Sequence, residues 1–430
     1  MKSAANTAHK VEVCIGKAGA LAGHLTYTRQ GQRENSAFAY DAAWLNSGTR
    51  FEVSPDLPLI AGHQARRAPS PADSVFPFSI ADTAPDAWGR RVIARAHARQ
   101  RRENPQLAAL SELDYLLAVD DFSRVGALRL RETGGPFLGA AADGQPATPP
   151  LIELEHIANA SRAVEQGRET AEDLKYLQGK GTSLGGMRPK CTVLEKNGAL
   201  AIGKFPSIND TRSVTRGEVL ALRLAAKAGI DAVPARIVVL GGTAVAVIER
   251  FDRTREHARI PYLSAASMLQ ASREADHSYA EIADAIRAHC ASPVQDVRQL
   301  WRRMVFNLLI TNVDDHLQNH GFLYAGNGHW RLAPAFDINP FPDKDRESKT
   351  WLTPESGPIE SLAMLLENAA YFNLSARDAV KVLAEVSGAV SRWRAEARGT
   401  KVGLSAADLD DFAPAFEHEA MADVKKVLRV

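Results

Sequence analysis

The chain has 430 residues, with 52 lysines and arginines against 51 aspartates and glutamates, so its formal net charge is +1. This balance gives no overall electrostatic attraction to nucleic acid, membranes or acidic substrates, and no apolar run reaches the roughly 18 residues of a membrane span. Cys14, Cys191 and Cys290 lie too far apart for a disulfide framework or zinc-ligand spacing. The polar start lacks a secretory signal pattern, which predicts a cytoplasmic protein.

The N-terminal part mixes short alternating apolar runs with turns, and a helical pattern follows from about Pro85. These patterns predict a small α+β subdomain, which we bound at residues 1–132. Residues 133–150 are rich in Gly, Pro and Ala without periodicity, which is typical of a linker.

Two tight turns in the following segment predict β-hairpins. Asn197-Gly198 separates one pair of strands and Gly241-Gly242 a second, and both dipeptides suit turns that need positive φ. A helix from about Thr215 to Ala228 is predicted between the hairpins. We therefore expect a β-rich lobe at residues 151–255 and a helical lobe at residues 256–430. A loop and short hairpin interrupt the helical lobe between Thr311 and Asp337.

Acid and amide groups are concentrated around that loop. Phosphoryl transfer needs a carboxylate that orients the attacking hydroxyl, oxygen ligands for Mg²⁺, and cations near the phosphates. Asp314 and Asn319 have the spacing of the base and the metal-binding Asn in kinase catalytic loops, which favours Asp314 over Asp315 as the base. Asp337 follows the predicted hairpin, in the place of the second metal ligand.

A structural interpretation competes with this one. Asp314, Asp315 and Asn319 are also the residue types that form turns and caps after a helix, here one predicted to end near Ile310. A single histidine such as His316 is more often structural than catalytic. The D-x-H-x-x-N setting is what gives it functional interest.

Upstream, the sequence GTSLGGMRPK at residues 181–190 predicts a glycine-rich loop. Gly185 and Gly186 would allow backbone N–H groups to approach a phosphate. Met187 stands where Walker A requires lysine, which disfavours a P-loop enzyme. The first hairpin ends at Lys204, in the order in which kinases place a phosphate-binding lysine, although a lysine at a strand end is ordinarily solvated.

Two further positions suit a kinase. Glu218 near the start of the predicted helix could pair with Lys204, or it could simply be an acidic residue favoured by the helix dipole in a first turn. Glu249 and Phe251 end the last strand before the helical half. Backbone groups there would hydrogen-bond adenine, with Phe251 packed nearby.

Several segments, taken in order, resemble the HipA family of serine/threonine kinase toxins. The core motifs are SLGGMRPK from Ser183, GKFP from Gly203, ERFDR from Glu249, DDHLQN from Asp314 and LAPAFDI from Leu332. PDAWGR from Pro85 and DFSRVGAL from Asp121 resemble the family's N-terminal motifs. The resemblance implies an α+β, two-lobed protein-kinase-like fold, with an extra N-terminal α+β subdomain and a mainly helical C-terminal lobe.

The resemblance also implies ATP and Mg²⁺ as cofactors. It makes Asp314 the catalytic base, with His316 in the catalytic loop, and it makes Asn319 and Asp337 the Mg²⁺ ligands. Lys204 would contact the ATP phosphates, and Glu249 to Phe251 would form the adenine hinge. Ser183 matches the loop serine that family members autophosphorylate, a change that shuts the kinase off.

The implied partners are a HipB-like helix-turn-helix antitoxin and a protein substrate such as an aminoacyl-tRNA synthetase. Operator DNA would be contacted only through the antitoxin complex, and no membrane is expected. Two alternatives remain open: a corepressor with little or no catalysis, and a small-molecule kinase, because D-x-H-x-x-N also resembles lipid kinases. Gln318 departs from the family, which frequently has a basic residue there. The arginines of the Arg90–Arg102 segment could contact phosphates or form a solvated helix face.

Overall fold

The computed structural model describes residues 7–139, 154–180, 187–343 and 347–428. Within them the chain forms two compact units. The first unit comprises Met1–Ile208, Asp252–Leu263 and Ser272–Glu274; the second comprises Asn209–Phe251, Ser264–Ala271 and Ala275–Val430. The predicted linker lies largely outside the described residues, and the predicted domain limits stay a prediction.

The first unit begins as an antiparallel sheet with short helices and continues into a helical pair and a hairpin. Its strands are β1 (Thr7–Ile15), β2 (Ala20–Gln30), β3 (Arg33–Tyr40), β4 (Gln64–Arg66), β5 (Leu128–Arg131), β6 (Lys190–Leu194) and β7 (Leu200–Lys204). Its helices are α1 (Ala42–Leu45), α2 (Phe78–Ala81), α3 (Ala87–Glu103), α4 (Glu112–Leu117), α5 (Leu154–Gln166) and α6 (Ala171–Lys180).

The N-terminal sheet has the strand order β4-β3-β2-β1-β5. Alternate residues such as Val11, Leu25 and Phe38 are buried, so one face of the sheet supplies the core of this part. Helix α3 starts close to the predicted position because the Asp86 side chain accepts a hydrogen bond from the Gly89 N–H at 2.6 Å. The predicted α+β character of this part is confirmed.

Two of the six arginines in helix α3 pair with acidic side chains of their own unit. Arg90 makes a bidentate pair with Glu112 at 2.9 and 2.6 Å, and Arg95 pairs with Glu169 at 2.8 Å. These contacts favour a structural role for Arg90 and Arg95. The arginines beyond Arg95, in the last turns of α3, are exposed.

The DFSRVGAL motif at residues 121–128 is hydrogen-bonded to the end of the ERFDR segment inside the first unit. Asp252 accepts a hydrogen bond from the Gly126 N–H at 2.7 Å, and the Arg253 guanidinium donates to the carbonyl oxygens of Gly126 and Arg124 at 2.8 and 2.6 Å. Arg124 is fully buried and donates to three backbone carbonyls, including that of Leu116. These motif residues hold distant parts of the chain together, which explains their lack of obvious chemistry.

The second unit is mainly helical with short hairpins. Its helices are α7 (Val214–Lys227), α8 (Ala265–Met268), α9 (Tyr279–His289), α10 (Pro293–Leu309), α11 (Leu362–Glu367), α12 (Ala376–Val390), α13 (Trp393–Arg398), α14 (Ala406–Phe416) and α15 (Glu419–Leu428). Its strands are β8 (Ala235–Leu240), β9 (Thr243–Glu249), β11 (Gly321–Gly326), β12 (His329–Leu332), β13 (Trp351–Thr353) and β14 (Gly357–Pro358), while β10 (Tyr262–Ser264) contains the point where the chain passes between units.

The three predicted hairpins are confirmed. The pairs β6–β7, β8–β9 and β11–β12 are antiparallel, and the turns of the first two pairs lie at the predicted glycines. Gly198 and Gly242 adopt φ of 82° and 77°, the left-handed region that glycine enters without steric cost. The small hairpin β13–β14 escaped prediction because its strands are only two or three residues long.

Helix α10 forms the centre of the second unit. Leu300, Trp301, Met304, Val305 and Leu308 recur at helical spacing and are buried, and Pro293 begins the helix at a position where its missing N–H costs nothing. The helix ends at Leu309, close to the predicted Ile310. Among the described residues no helix combines the length and apolar character needed to cross a membrane.

Candidate active site

The segment from Thr311 to Asn319, which we call the acidic loop, follows the C-terminus of α10. Thr311 adopts a left-handed φ of 54°, and its hydroxyl donates to the carbonyl oxygen of Ala415 at 3.1 Å, which turns the chain out of the helix. Val313 and Leu317 are buried and anchor the segment. The chain then makes a short 3₁₀ helix, Leu317–Asn319, and enters β11.

Asp314 and Asn319 lie next to each other in this loop. The Asn319 amide nitrogen donates to the backbone carbonyl of Asp314 at 3.1 Å, and the Asn319 N–H donates to the carbonyl of His316 at 2.8 Å. The first contact fixes the amide so that its oxygen is the atom available to a ligand. The Asp314 side chain is 38% exposed and forms an ion pair with Lys349.

Asp315, by contrast, is buried and is the centre of a hydrogen-bond network. Its Oδ2 accepts hydrogen bonds from Asn307 Nδ2 at 2.8 Å, from His320 Nε2 at 2.9 Å and from the Tyr279 hydroxyl. Its backbone carbonyl accepts from the Thr350 hydroxyl at 2.6 Å. Asp315 therefore has a structural role, as the competing interpretation proposed. It is, however, the centre of a buried hydrogen-bond network and not a turn or cap residue.

The network explains the direction of two pKa shifts. Burial by itself raises the pKa of Asp315, but His320 and the hydrogen bonds from His320 and Tyr279 outweigh it, so the pKa lies below its usual value. Burial, followed by the adjacent Asp315 charge, raises the pKa of Tyr279 well above its usual value. At neutral pH Asp315 is thus an ionised acceptor and Tyr279 a neutral donor.

A chain of amides connects this network to Asp337. Asn312 Nδ2 donates to Asn307 Oδ1 at 3.1 Å, and Asn312 Oδ1 accepts from the Asn339 N–H at 3.3 Å. The Asn339 side chain then donates to Asp337 Oδ1 at 3.2 Å. The acidic loop and Asp337 are therefore held by one continuous set of side chains.

Asp337 itself has an unusual backbone. Its φ is 54°, in the left-handed region that non-glycine residues seldom adopt and that is concentrated at functional sites. Two hydrogen bonds hold the backbone just before Asp337. The Ala333 N–H donates to the Gly321 carbonyl and the Ala335 N–H donates to the Asp231 carbonyl, each at 2.7 Å. These bonds constrain the backbone that leads to Asp337, and Asn339 Nδ2 donates to its carboxylate.

The predicted hinge residues belong to the same unit. Phe251 packs against Phe336, with ring centroids 5.3 Å apart, so the end of the segment after β9 lies beside the residue that precedes Asp337. Glu249 is exposed, and its N–H donates to the carbonyl of Pro234 at 2.9 Å. The hinge role of these residues stays a prediction.

Lys204 lies in the first unit and is buried, 8% exposed, which rules out the ordinary solvated lysine. In the β6–β7 register it stands opposite Lys190, which is also buried. Like charges directly opposite are unfavourable, and Lys190 is balanced by an ion pair with Asp86 at 3.1 Å. Asp86 therefore both caps α3 and neutralises a buried ammonium, a role that the PDAWGR motif did not reveal.

Glu218 requires a correction. Helix α7 begins at Val214, so Glu218 lies in the second turn and not in the first, and its side chain is buried, 3% exposed. The helix-dipole explanation was therefore wrong, because that effect acts on the first turn. Ser183, Gly185 and Gly186 lie outside the described residues.

Sequence reasoning missed Tyr279, Asn307, His320 and Lys349. The first three lie 36, 8 and 5 residues from Asp315 and meet it only through the fold. Lys349 had no sequence signal, since it lies twelve residues beyond Asp337 and outside every motif identified in the sequence. The described part of the chain contains no group of three or more His, Cys, Asp or Glu side chains placed to hold a metal.

Comparison with known proteins places this architecture in a family. The HipA-like C-terminal domain matches residues 182–393, and the HipA N-terminal domain matches residues 12–119. "Putative kinase Y4mE" of Sinorhizobium fredii is 26% identical over 343 residues, which cover 74% of this chain and 75% of that protein. A Haemophilus influenzae protein named "Putative kinase" is 27% identical over 188 residues, which cover 38% of this chain and 55% of that protein.

A solved structure shares the fold. The chain is similar to HipA of Shewanella oneidensis MR-1, whose structure is a complex with HipB and operator DNA, with a TM-score of 0.67, 17% identity and 97% of both chains covered. The fold is therefore of the α+β, protein-kinase-like class. Within that class the chain belongs to the HipA family, as its two matching domains show.

Proposed function

We propose that this chain is an ATP- and Mg²⁺-dependent serine/threonine protein kinase of the HipA type. The observation that carries the proposal is the contrast between two adjacent carboxylates. Asp315 is buried and accepts three hydrogen bonds at Oδ2, whereas Asp314 is 38% exposed beside the amide of Asn319. A base must reach the hydroxyl that it orients, so Asp314 is suited to that role.

Asn319 and Asp337 are proposed to hold Mg²⁺. Mg²⁺ is usually bound by one or two protein oxygens together with waters and substrate phosphates, so one carboxylate and one amide oxygen are a sufficient protein contribution. The ion would neutralise charge on the phosphates of ATP. The fixed amide of Asn319 and the constrained backbone of Asp337 support this assignment, because both hold their oxygens in place before the ion binds.

In the proposed reaction, Asp314 accepts the proton of the substrate hydroxyl as the hydroxyl oxygen forms a bond to the γ-phosphorus. The bond between that phosphorus and the β–γ bridging oxygen breaks, and its electron pair leaves with ADP. Buried Lys204 is proposed to contact the phosphates, and the backbone at Glu249, with Phe251, to receive adenine. His316 lies within the catalytic loop and is proposed to support its conformation.

Regulation and partners are proposed on the family resemblance. Autophosphorylation of Ser183 would add roughly −1.5 to −2 charge beside Gly185 and Gly186, which would repel bound ATP phosphates. The similar Shewanella protein forms a complex with HipB and operator DNA, which supports a HipB-like antitoxin partner here. The proposed protein acceptor is a serine or threonine hydroxyl that can approach Asp314, with aminoacyl-tRNA synthetases as the first candidates.

The test is transfer of label from γ-labelled ATP by the purified full chain, with the phosphorylated residue mapped by mass spectrometry. We expect Asp314→Asn and Asp337→Asn each to reduce transfer by at least about 10³-fold. Asp411→Asn, on the exposed side of α14, serves as the control and should match the wild type. Label on Ser183 that disappears in both site variants would support kinase and switch together. Full transfer by Asp314→Asn would refute the proposed base.

A further inference from the structure

Lys349 contacts the carboxylate that we propose as the base. Its ammonium forms an ion pair with Asp314 Oδ1, and the two side chains are 57% and 38% exposed. Exposed ion pairs contribute little to stability because water and salt screen them. The significance of this pair therefore lies in where it places a positive charge.

The backbone holds Lys349 in that place. Its N–H donates to the carbonyl of Val313 at 3.1 Å, and the buried Thr350 hydroxyl donates to the carbonyl of Asp315 at 2.6 Å. The next N–H, of Trp351, donates to the carbonyl of His277 at 2.9 Å. Three consecutive residues are thus bonded to neighbouring backbone, so Lys349 cannot slide along the loop that carries Asp314.

The catalytic loop has no lysine or arginine of its own, so Lys349 can supply the positive charge there. The six residues from Asp314 to Asn319 contain two carboxylates and neither lysine nor arginine. In phosphoryl transfer, charge spreads over the equatorial oxygens of the moving group, and a preorganised cation beside them stabilises the transition state. The ammonium of Lys349 extends from a main chain that is held beside the base and is more than half exposed, so it can reach both the carboxylate and an incoming phosphoryl group.

The geometry also distinguishes the two oxygens of Asp314. Oδ1, which faces Lys349, is buried from solvent, although the side chain as a whole is 38% exposed. The exposed oxygen is accordingly Oδ2. The substrate hydroxyl would therefore approach Oδ2 while Lys349 occupies Oδ1.

We propose that Lys349 is a catalytic residue that bridges Asp314 Oδ1 and the γ-phosphoryl group during transfer. This inference rests on the proposed kinase function and adds one residue to it. The acceptor oxygen forms its bond to the γ-phosphorus, the bond to the bridging oxygen breaks, and the electron pair leaves with ADP. The hydroxyl proton passes to Asp314 Oδ2. Lys349 keeps its protons throughout and offsets negative charge on the transferred group.

The test compares kcat and the KM for ATP among Lys349→Met, Lys349→Gln and Lys349→Arg. The Met and Gln variants remove the charge, and we expect kcat to fall by about 10²-fold with the KM changed by less than about threefold, because the cation acts mainly on the transition state. Lys349→Arg keeps a cation and should recover kcat to within about tenfold of the wild type. Lys381→Met, on the exposed face of α12, is the control and should leave both constants unchanged.

The outcomes separate this inference from the function on which it rests. Failure of the wild type to transfer phosphate would overturn the kinase proposal and this inference together. If the wild type is active and Asp314→Asn is not, an unchanged kcat in folded Lys349→Met and Lys349→Gln overturns the role of Lys349 alone. A raised kcat in these variants would also overturn it, since the ion pair would then restrain the base. Thermal melting of each variant verifies that it is folded.

Discussion

At the scale of single residues, the adjacent acids Asp314 and Asp315 differ in their exposure to solvent: Asp314 is partly exposed and Asp315 is buried. Sequence spacing favoured Asp314 as the base, and the structure gives Asp315 a distinct task as a buried acceptor for Tyr279, Asn307 and His320. Its side chain fixes the polypeptide on which Asp314 is carried. Asp314 is thus the acid that solvent can reach, and Asp315 is the acid that supports the loop.

We expect Asp315→Asn to lower the free energy of unfolding by about 3 kcal/mol at pH 7. The substitution removes the buried charge that three donors face at Oδ2, and a neutral amide oxygen accepts those hydrogen bonds more weakly. Denaturant unfolding measures the loss, with Asp411→Asn as the exposed control. A loss below about 0.5 kcal/mol would contradict the importance of the network.

The same comparison has a defined pH dependence. The folded-state pKa of Asp315 lies below its ordinary value of 3.8, so its charge stabilises the fold above that value and the contribution is lost as the pH falls through the folded-state pKa. The stability difference between wild type and Asp315→Asn should therefore be constant near neutrality and shrink below about pH 4. A difference that grows on acidification would reverse the assigned direction.

At the scale of elements, the packing of α7 illustrates how a local rule is overridden. Gly217 lies inside the helix, where glycine costs roughly 0.5–1 kcal/mol relative to alanine. A Cβ at this position would stand only 2.7 Å from the Phe412 ring, which is buried in α14. Glycine suits this position because the Phe412 ring lies too close to the helix backbone for a Cβ to fit without a shift.

We expect Gly217→Ala to destabilise the protein by about 1–3 kcal/mol despite the better helix propensity of alanine, because the buried ring must move. Gly388→Ala is the matched control. Gly388 lies in the interior of α12 with nothing within 4 Å of a built Cβ, so alanine there should stabilise by up to about 1 kcal/mol. Thermal unfolding of both variants measures the contrast, and equal effects would show that the Phe412 contact is not limiting.

At the scale of the whole molecule, the two compact units are not two successive pieces of sequence. The chain enters the second unit at residue 209, and residues 252–263 and 272–274 then belong again to the first unit. The returning segment carries Asp252 and Arg253, whose bonds to Gly126 and Arg124 join residues more than 120 positions apart. Such long-range contacts are invisible to reasoning from local pattern.

Binding of ATP with Mg²⁺ should stabilise the whole chain. A ligand that binds only the folded state at about 100 times its Kd adds about 2.7 kcal/mol. We expect ATP with Mg²⁺ to raise the Tm of the wild type, and chelation of Mg²⁺ or the substitution Asp337→Asn to remove most of the shift. Differential scanning calorimetry with a non-hydrolysable analogue measures it. A full shift in Asp337→Asn would contradict the role of that carboxylate in metal binding.

The sequence by itself determined the elements whose cause is local. The Asn-Gly and Gly-Gly dipeptides placed two hairpins. The predicted limits of α7 and the predicted end of α10 lie within one residue of the observed ones, and the motif order indicated the family and the candidate catalytic loop. Each of these signals is carried by residues close together along the chain. Local steric and hydrophobic preferences are sufficient to express them.

The tertiary structure alone decided which polar groups are buried and what meets them. Lys204 and Glu218 are buried. Asp86 forms an ion pair with Lys190, and Lys349 forms an ion pair with Asp314. The energetic cost of a buried charge depends on partners that are distant in sequence. No local pattern records those partners, because folding is what brings them together.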